Sequence, residues 1–187
     1  MRNIFIDCGA HTGESVKLFM KRVVNADKYS IHSFEPNPKS AQIFRSSCGQ
    51  FKNVTLYEKA AWIDDCVLDF FLGSSAGCTL IKEKTSGNLD KDNPVKVEAT
   101  SLSKFIINNF NRSDNIVLKI DIEGAEYNVI PDLIKTGAIN YIKQLFGEWH
   151  FEKIGFPKEK HDNLVLSLRT SGLKMREWCA ITGVIGD

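Results

Sequence analysis

The 187 residues carry 24 Lys and Arg against 23 Asp and Glu, a net charge of +1, with 43% hydrophobic and 25% charged side chains. That length is most economically a single domain, 1–187, able to bury a sizeable core. The charge balance gives no overall electrostatic case for a nucleic acid or an anionic membrane as partner.

No apolar stretch approaches the roughly 18 residues needed to span a bilayer, and no signal peptide precedes the first apolar run. Five scattered cysteines (Cys8, Cys48, Cys66, Cys78, Cys179) contain no C-x-x-C pair, which argues against a disulfide framework or a structural zinc site. A reducing cytoplasm is the expected home.

In chain order, short apolar runs alternate with helical segments, which predicts an α/β fold with a mostly parallel sheet covered on both faces. Ile4-Phe5-Ile6 reads as the first strand. A helix over 13–24 follows, with Val16, Met20, Val23 and Val24 at helical spacing. Residues 29–35 form a second strand. Asn37-Pro38 is a helix start, Asn as N-cap and Pro at the first position, and Gly49 is its expected C′ residue.

Val54–Tyr57 reads as a third strand, and 66–72 and 95–99 as two more. They flank a stretch from Gly73 to Pro94 rich in Gly, Ser, Lys and Asp. A connection this long is either functional or a disordered surface excursion. Thr100 or Ser101 caps a helix through Phe110. A strand at 116–122 leads into a helix from about Glu123 to Lys135, ending at Gly137, with a kink or restart expected at Pro131. Gln144–Trp149 is the next strand and 157–171 the last helix. Leu173 to Trp178 alternates as a half-exposed antiparallel edge strand should, leaving room only for a short final hairpin.

Three segments carry the chemistry. The first strand runs into Asp7-Cys8-Gly9-Ala10-His11-Thr12-Gly13. There Gly9 permits a tight turn and Gly13 lets the helix start pack near the strand. Amides at that helix start would face an anionic group. Asp7, at the strand tip, suits an ammonium better than a phosphate, which favours an amino-acid-bearing nucleoside. The other reading of His11 is a residue that only shapes the loop.

The second strand ends Phe34-Glu35-Pro36, where a carboxylate can accept hydrogen bonds from both ribose hydroxyls. The third segment is Lys119-Ile-Asp121-Ile-Glu123-Gly-Ala-Glu126, at the carboxyl end of a buried strand, the edge where open α/β sheets bind ligands. Lys119 and Asp121 share one sheet face, so each is a natural partner for the other. Glu126 reads as a first-turn acid serving the helix dipole.

Taken together, Asp7–Gly13, Phe34-Glu35-Pro36-Asn37-Pro38 and Leu118–Glu126 resemble the FkbM family of S-adenosylmethionine-dependent methyltransferases, from the first strand to about His150. The resemblance implies a Rossmann-like, doubly wound sheet of the seven-strand methyltransferase type with an antiparallel C-terminal edge. It implies S-adenosyl-L-methionine as the cofactor, with Asp7, Gly9, Ala10, His11, Thr12 and Gly13 around the methionine moiety and Glu35 and Pro36 at the ribose. Ala61 and Trp62 would lie beside the adenine, and Asp121 and Glu123 would border the methyl-transfer site. Glu148 and His150 fall where the family often carries an acid and a histidine facing the acceptor. The family commonly has an Asp after the Leu where this chain has Ser101-Leu102-Ser103.

The expected activity is transfer of a methyl group to a hydroxyl of a sugar, glycan or secondary metabolite, an in-line displacement in which positioning supplies much of the rate. Asp121, Glu123 and His150 are the catalytic candidates. His150 is the general base suited by its near-neutral pKa; the rival is Asp121, with Glu123 orienting the acceptor. No metal is predicted, although Asp121, Glu123, Glu148 and His150 are a donor set compatible with Mg²⁺ or Mn²⁺. Two other readings use the same turn and Glu35: an NAD-dependent oxidoreductase, disfavoured because the turn is D-x-G-x-x-x-G rather than G-x-G-x-x-G, and a non-catalytic nucleoside-binding subunit. The oligomeric state is not written in the sequence.

Overall fold

A computed structural model describes residues 1–74 and 77–178. Its centre is a parallel sheet whose middle strands are strongly apolar runs: β1 (Asn3–Cys8), β2 (Tyr29–Phe34), β3 (Val54–Tyr57), β7 (Asn115–Ile120), β8 (Ile142–Gly147) and β9 (Met175–Arg176), in the order β3-β2-β1-β7-β8-β9, with β1 and β7 at the centre. A second, three-stranded sheet has the order β4-β6-β5, from β4 (Ala60–Trp62), β5 (Cys66–Phe70) and β6 (Val95–Ser101).

Strand alternation sorts the core into two layers. Ile4, Ile6, Cys8, Ile116, Leu118 and Ile120 point to one face, against α3 (Leu102–Asn109) and α4 (Glu126–Thr136). Phe5, Val117, Ile31 and Phe146 point to the other, against Val16 and Phe19 of α1 (Glu14–Arg22) and Phe44 of α2 (Pro38–Cys48). Asp7 and Lys119 fall on this second face, and the β1–β7 register sets them directly opposite each other. Strand order reverses between β1 and β7, so the chain leaves a crevice at their carboxyl ends, the topological switch point of a doubly wound sheet.

Several expectations are corrected in detail. β9 pairs with β8 in parallel, Leu145 opposite Met175, not as an antiparallel edge. The helix between them, α5 (Lys158–Thr170), is a crossover that returns the chain to the same end of the sheet. Alternation reports a half-exposed strand, not its direction. Cys179 and the end of the predicted hairpin lie outside the described residues. β4 has no sequence signal, because three residues separated from β3 only by Glu58 and Lys59 show no period of their own. α4 starts at Glu126 rather than Glu123 and runs through Pro131 as one assigned helix. Gly49 caps α2 with φ −62, still right-handed. The stretch after Gly73 is not a wholly loose excursion: Thr79 and Lys84 are each 1% exposed, and Phe71 and Thr79 form a β-bridge. No helix among the described residues is long and apolar enough to cross a membrane.

Candidate active site at the switch point

At the carboxyl ends of β1, β2 and β7 lies a cleft of about 700 Å³, counting its open mouth. Its polar wall comes from Gly9, His11, Glu35, Asp121 and Glu123, and its apolar wall from Ala60, Ala61, Phe70, Leu80 and Ile122. The small sheet therefore supplies the side opposite the β1 turn.

The β1 turn is tied to the end of β2. The backbone N–H groups of Gly9 and Ala10 both donate to the Phe34 carbonyl, at 3.1 and 3.0 Å. Gly9 has φ +81, and a Cβ there would stand 1.9 Å from the Asp121 carbonyl oxygen. Only a glycine lets the β1 and β7 loops approach so closely. Gly13, φ +94, serves a different contact from the one expected: a Cβ would meet Cys48 and Ser47 of α2, not the strand. Ala10 is buried in the α1–α2 core layer, and the Thr12 carbonyl accepts the Ser47 hydroxyl at 2.6 Å. Neither borders the cleft directly, whereas His11, at φ 47, does.

Glu35 is 6% exposed. Its Oε2 accepts the His11 N–H and its Oε1 the Asn37 N–H, both at 2.8 Å. Burial pushes its pKa up, and those two backbone hydrogen bonds only partly offset it. The carboxylate is thus fixed in place with lone pairs left for the cleft it lines. Pro36 and Ala61 also line the cleft, while Trp62 does not and packs against the core instead.

Asp7 is fully buried and is not among the residues that line the cleft. Its Oδ1 stands 3.2 Å from Lys119 Nζ, and its Oδ2 accepts the Ser15 hydroxyl. The ammonium it meets belongs to the protein. Lys119 also donates to the Gly9 carbonyl at 3.0 Å and stands 3.8 Å from Asp121 Oδ2. Burial pushes the Lys119 pKa down, but Asp7 and Asp121 outweigh it and the net direction is up.

Beyond β7 the acids part company. Asp121 and Glu123 line the cleft. Glu123 sits at φ 54, a left-handed conformation that a residue with a side chain adopts only at a cost of about 1–2 kcal/mol. Its carbonyl accepts the Thr79 hydroxyl at 2.8 Å, and its Oε2 stands 3.0 Å from the buried Lys84 Nζ and 3.6 Å from Lys153 Nζ. Glu126 is completely buried. Its Oε2 accepts the Gly124 N–H, and its Oε1 accepts both the backbone N–H of His150 at 2.9 Å and Nδ1 of the same ring at 2.8 Å.

His150 is 2% exposed. Its Nε2 is buried and makes no hydrogen bond, although Asp121 Oδ1, Glu123 Oε1 and Glu148 Oε2 lie 3.7, 3.8 and 3.6 Å away. Burial pushes the imidazole pKa down, the Glu126 hydrogen bond and charge push it up more strongly, and the net direction is up. The three catalytic candidates are therefore brought together, with ligand-type atoms of Asp121, Glu123 and His150 all within 4.8 Å of one another. Ser101 is the N-cap of α3, its hydroxyl accepting the Lys104 N–H, and Ser103 hydrogen-bonds to that hydroxyl.

Two contributors were not foreseen. Glu126 does more than serve a helix dipole; it orients His150, a pairing visible only once β7 and β8 are neighbours. Lys84 is a buried cation reaching Glu123 from a segment whose composition suggested solvent exposure.

No match was found among curated proteins. Among solved structures, the Methyltransferase FkbM from Methylobacillus flagellatus KT, determined at 2.20 Å, is similar with 15% identity and a TM-score of 0.47. That match covers 72% of this chain and 30% of the other, so this chain spans about a third or less of that protein's length. The family model of the methyltransferase FkbM domain matches residues 7–175. With nearly its whole length inside that match, the chain belongs to the FkbM methyltransferase family.

Proposed function

We propose that this chain is an S-adenosylmethionine-dependent O-methyltransferase, acting in the cytoplasm as one domain on a hydroxyl of a sugar, glycan or secondary metabolite. The observation that carries the reading is Glu35: a nearly buried carboxylate, held by two backbone N–H groups at the end of β2, in a cleft with apolar walls. A ribose presents two adjacent hydroxyl donors to such a carboxylate, and a purine suits the apolar wall of Ala60, Ala61 and Leu80.

S-adenosylmethionine, when bound, supplies a methyl group already activated on a sulfonium. The chain supplies position. Glu35 holds the ribose. Because Lys119 neutralises Asp7, the carboxylate left to face the donor's positive end is Asp121, 31% exposed in its side chain and on the cleft wall. Acceptor activation belongs to the Asp121–Glu123–His150 cluster. Glu126, an acceptor-only group, fixes the proton of His150 on Nδ1 and leaves the Nε2 lone pair on the cluster side. That lone pair is usable on a hydroxyl proton, or on a cation that acidifies the hydroxyl.

The test is incubation with methyl-labelled S-adenosylmethionine and a panel of saccharide and polyol acceptors. Label recovered as a methyl ether supports the reading. Label recovered only on nitrogen, carbon or carboxyl groups overturns the O-directed assignment.

A further inference from the structure

We propose that Asp121 Oδ1, Glu123 Oε1 and His150 Nε2 form a binding site for one divalent cation of the Mn²⁺ type, at the rim of the cleft. Four observations lead there. The first is an unmet atom. Nε2 of His150 is buried without a hydrogen bond, and the carboxylate oxygens around it stand 3.6 to 3.8 Å away, too far to be its hydrogen-bond partners. Two ligand atoms each about 2.1 to 2.3 Å from one metal ion lie roughly 3 to 4.6 Å apart, depending on the angle between them. The observed spacing matches ligands around a shared ion better than an imidazole paired with any one acid.

The second is orientation. Each candidate ligand is held by a partner at its other polar atom, the usual arrangement of a metal's outer shell. Glu126 takes Nδ1 of His150 at 2.8 Å. Lys119 faces Oδ2 of Asp121, and Lys84 and Lys153 face Oε2 of Glu123. The lysines thus sit on the far oxygens and turn Oδ1 and Oε1 toward Nε2.

The third is charge. Five carboxylates (Asp7, Asp121, Glu123, Glu126 and Glu148) meet three ammonium groups (Lys84, Lys119 and Lys153) around the His150 ring. With or without a proton on that ring the surroundings are net negative, as a cation site requires. The fourth is chemistry: one imidazole and two carboxylates, with no thiolate, select a borderline-to-hard ion such as Mn²⁺. Glu148, exposed and 3.6 Å from Nε2, is placed to reach the same ion.

The site needs no methyl donor. Within the function proposed above, its consequence is specific. His150 is then a ligand rather than the base, and the ion lowers the pKa of an acceptor hydroxyl bound to it.

Mn²⁺ binding, followed by electron paramagnetic resonance of the free ion without any donor present, tests this. The expected result is one Mn²⁺ per chain, an affinity lowered about tenfold or more by Glu123→Gln and by His150→Ala, and none of that loss in Asp114→Asn on the opposite edge. Side-chain ¹H–¹⁵N spectra should show the His150 ring broadened by Mn²⁺ at low occupancy while His32 stays sharp. Because His150→Ala empties a buried position, the more exposed Asp121→Asn provides the same test in a chain whose fold is checked by circular dichroism. Absence of binding at about 1 mM Mn²⁺, or equal affinity in wild type and both carboxylate variants, overturns the proposal. S-adenosylhomocysteine binding without Mn²⁺ binding overturns this site only. Mn²⁺ binding without S-adenosylhomocysteine binding overturns the function proposed above and leaves the site standing.

Discussion

Glu126 and His150 are joined twice: one buried carboxylate oxygen accepts both the backbone N–H of His150 and its ring Nδ1–H, at 2.9 and 2.8 Å. A carboxylate cannot donate, so the neutral imidazole is locked as the Nδ1–H tautomer. Long-range ¹H–¹⁵N spectra of the neutral form are expected to show Nδ1 protonated and Nε2 bare. In Glu126→Ala the two tautomers should mix. A wild-type ring with its proton on Nε2 would remove His150 from both roles considered for it.

Lys119 and Asp7 face each other from adjacent strands, with side chains 4% and 0% exposed. Lys119→Met leaves Asp7 charged and unpaired in the core. The expected loss is about 3–5 kcal/mol, read from chemical denaturation. Adding Asp7→Leu to make the double variant should recover much of it. Equal stability of wild type and Lys119→Met would show that Asp7 has no need of this partner.

Asp114, buried at the start of β7, accepts hydrogen bonds from Nε, a terminal guanidinium nitrogen and the backbone N–H of Arg2, and from the Asn111 N–H. The Arg2 side chain, then those backbone groups, hold its carboxyl well below the usual range. A folded-state pKa below the unfolded one means that the unfolded chain binds more protons in acid. The contribution is complete above about pH 4 and fades as pH falls below it. Asp114→Asn should therefore lower Tm at pH 7, with the gap from wild type narrowing below pH 4. A gap of constant size down to pH 2.5 would contradict this.

Glu35 predicts the opposite shift. Burial raises its pKa above the ordinary 4.5, and only the ionised form accepts from two ribose hydroxyls at once. Affinity for S-adenosylhomocysteine should begin to fall at a pH above that of an exposed carboxylate, and that acid-side loss should vanish in Glu35→Gln. Calorimetry across pH 4 to 7 reads it. A pH dependence unchanged in the variant would assign the effect elsewhere.

How much of this the chain declared in advance depended on range. β1 and β7 were legible because runs such as Ile4-Phe5-Ile6 and Ile116-Val117-Leu118 are buried on both faces. Asp121, Glu123 and Glu35 were legible as cleft-lining acids, because acids at strand ends have few structural reasons to be there. Lys119 was expected to answer Asp121, yet its nearer carboxylate is Asp7, a cross-strand partner 112 positions away that local spacing does not encode. The Glu126–His150 bond likewise needs β7 and β8 side by side. Lys84 was hidden for another reason: a lysine in a segment of Gly, Ser and Asp looks solvated, and only tertiary contact with Glu123 makes it a core residue. The direction of β9 was set by the α5 crossover, while its alternation spoke only of exposure.

The central claim is that Glu35 anchors an S-adenosyl nucleoside in the switch-point cleft. Isothermal titration of the purified chain with S-adenosylhomocysteine, beside NAD⁺ and beside Glu35→Gln, tests it most directly. The account predicts one S-adenosylhomocysteine per chain, affinity lowered about tenfold or more in the variant, and no heat from NAD⁺. Binding of NAD⁺ with no response to S-adenosylhomocysteine would contradict it.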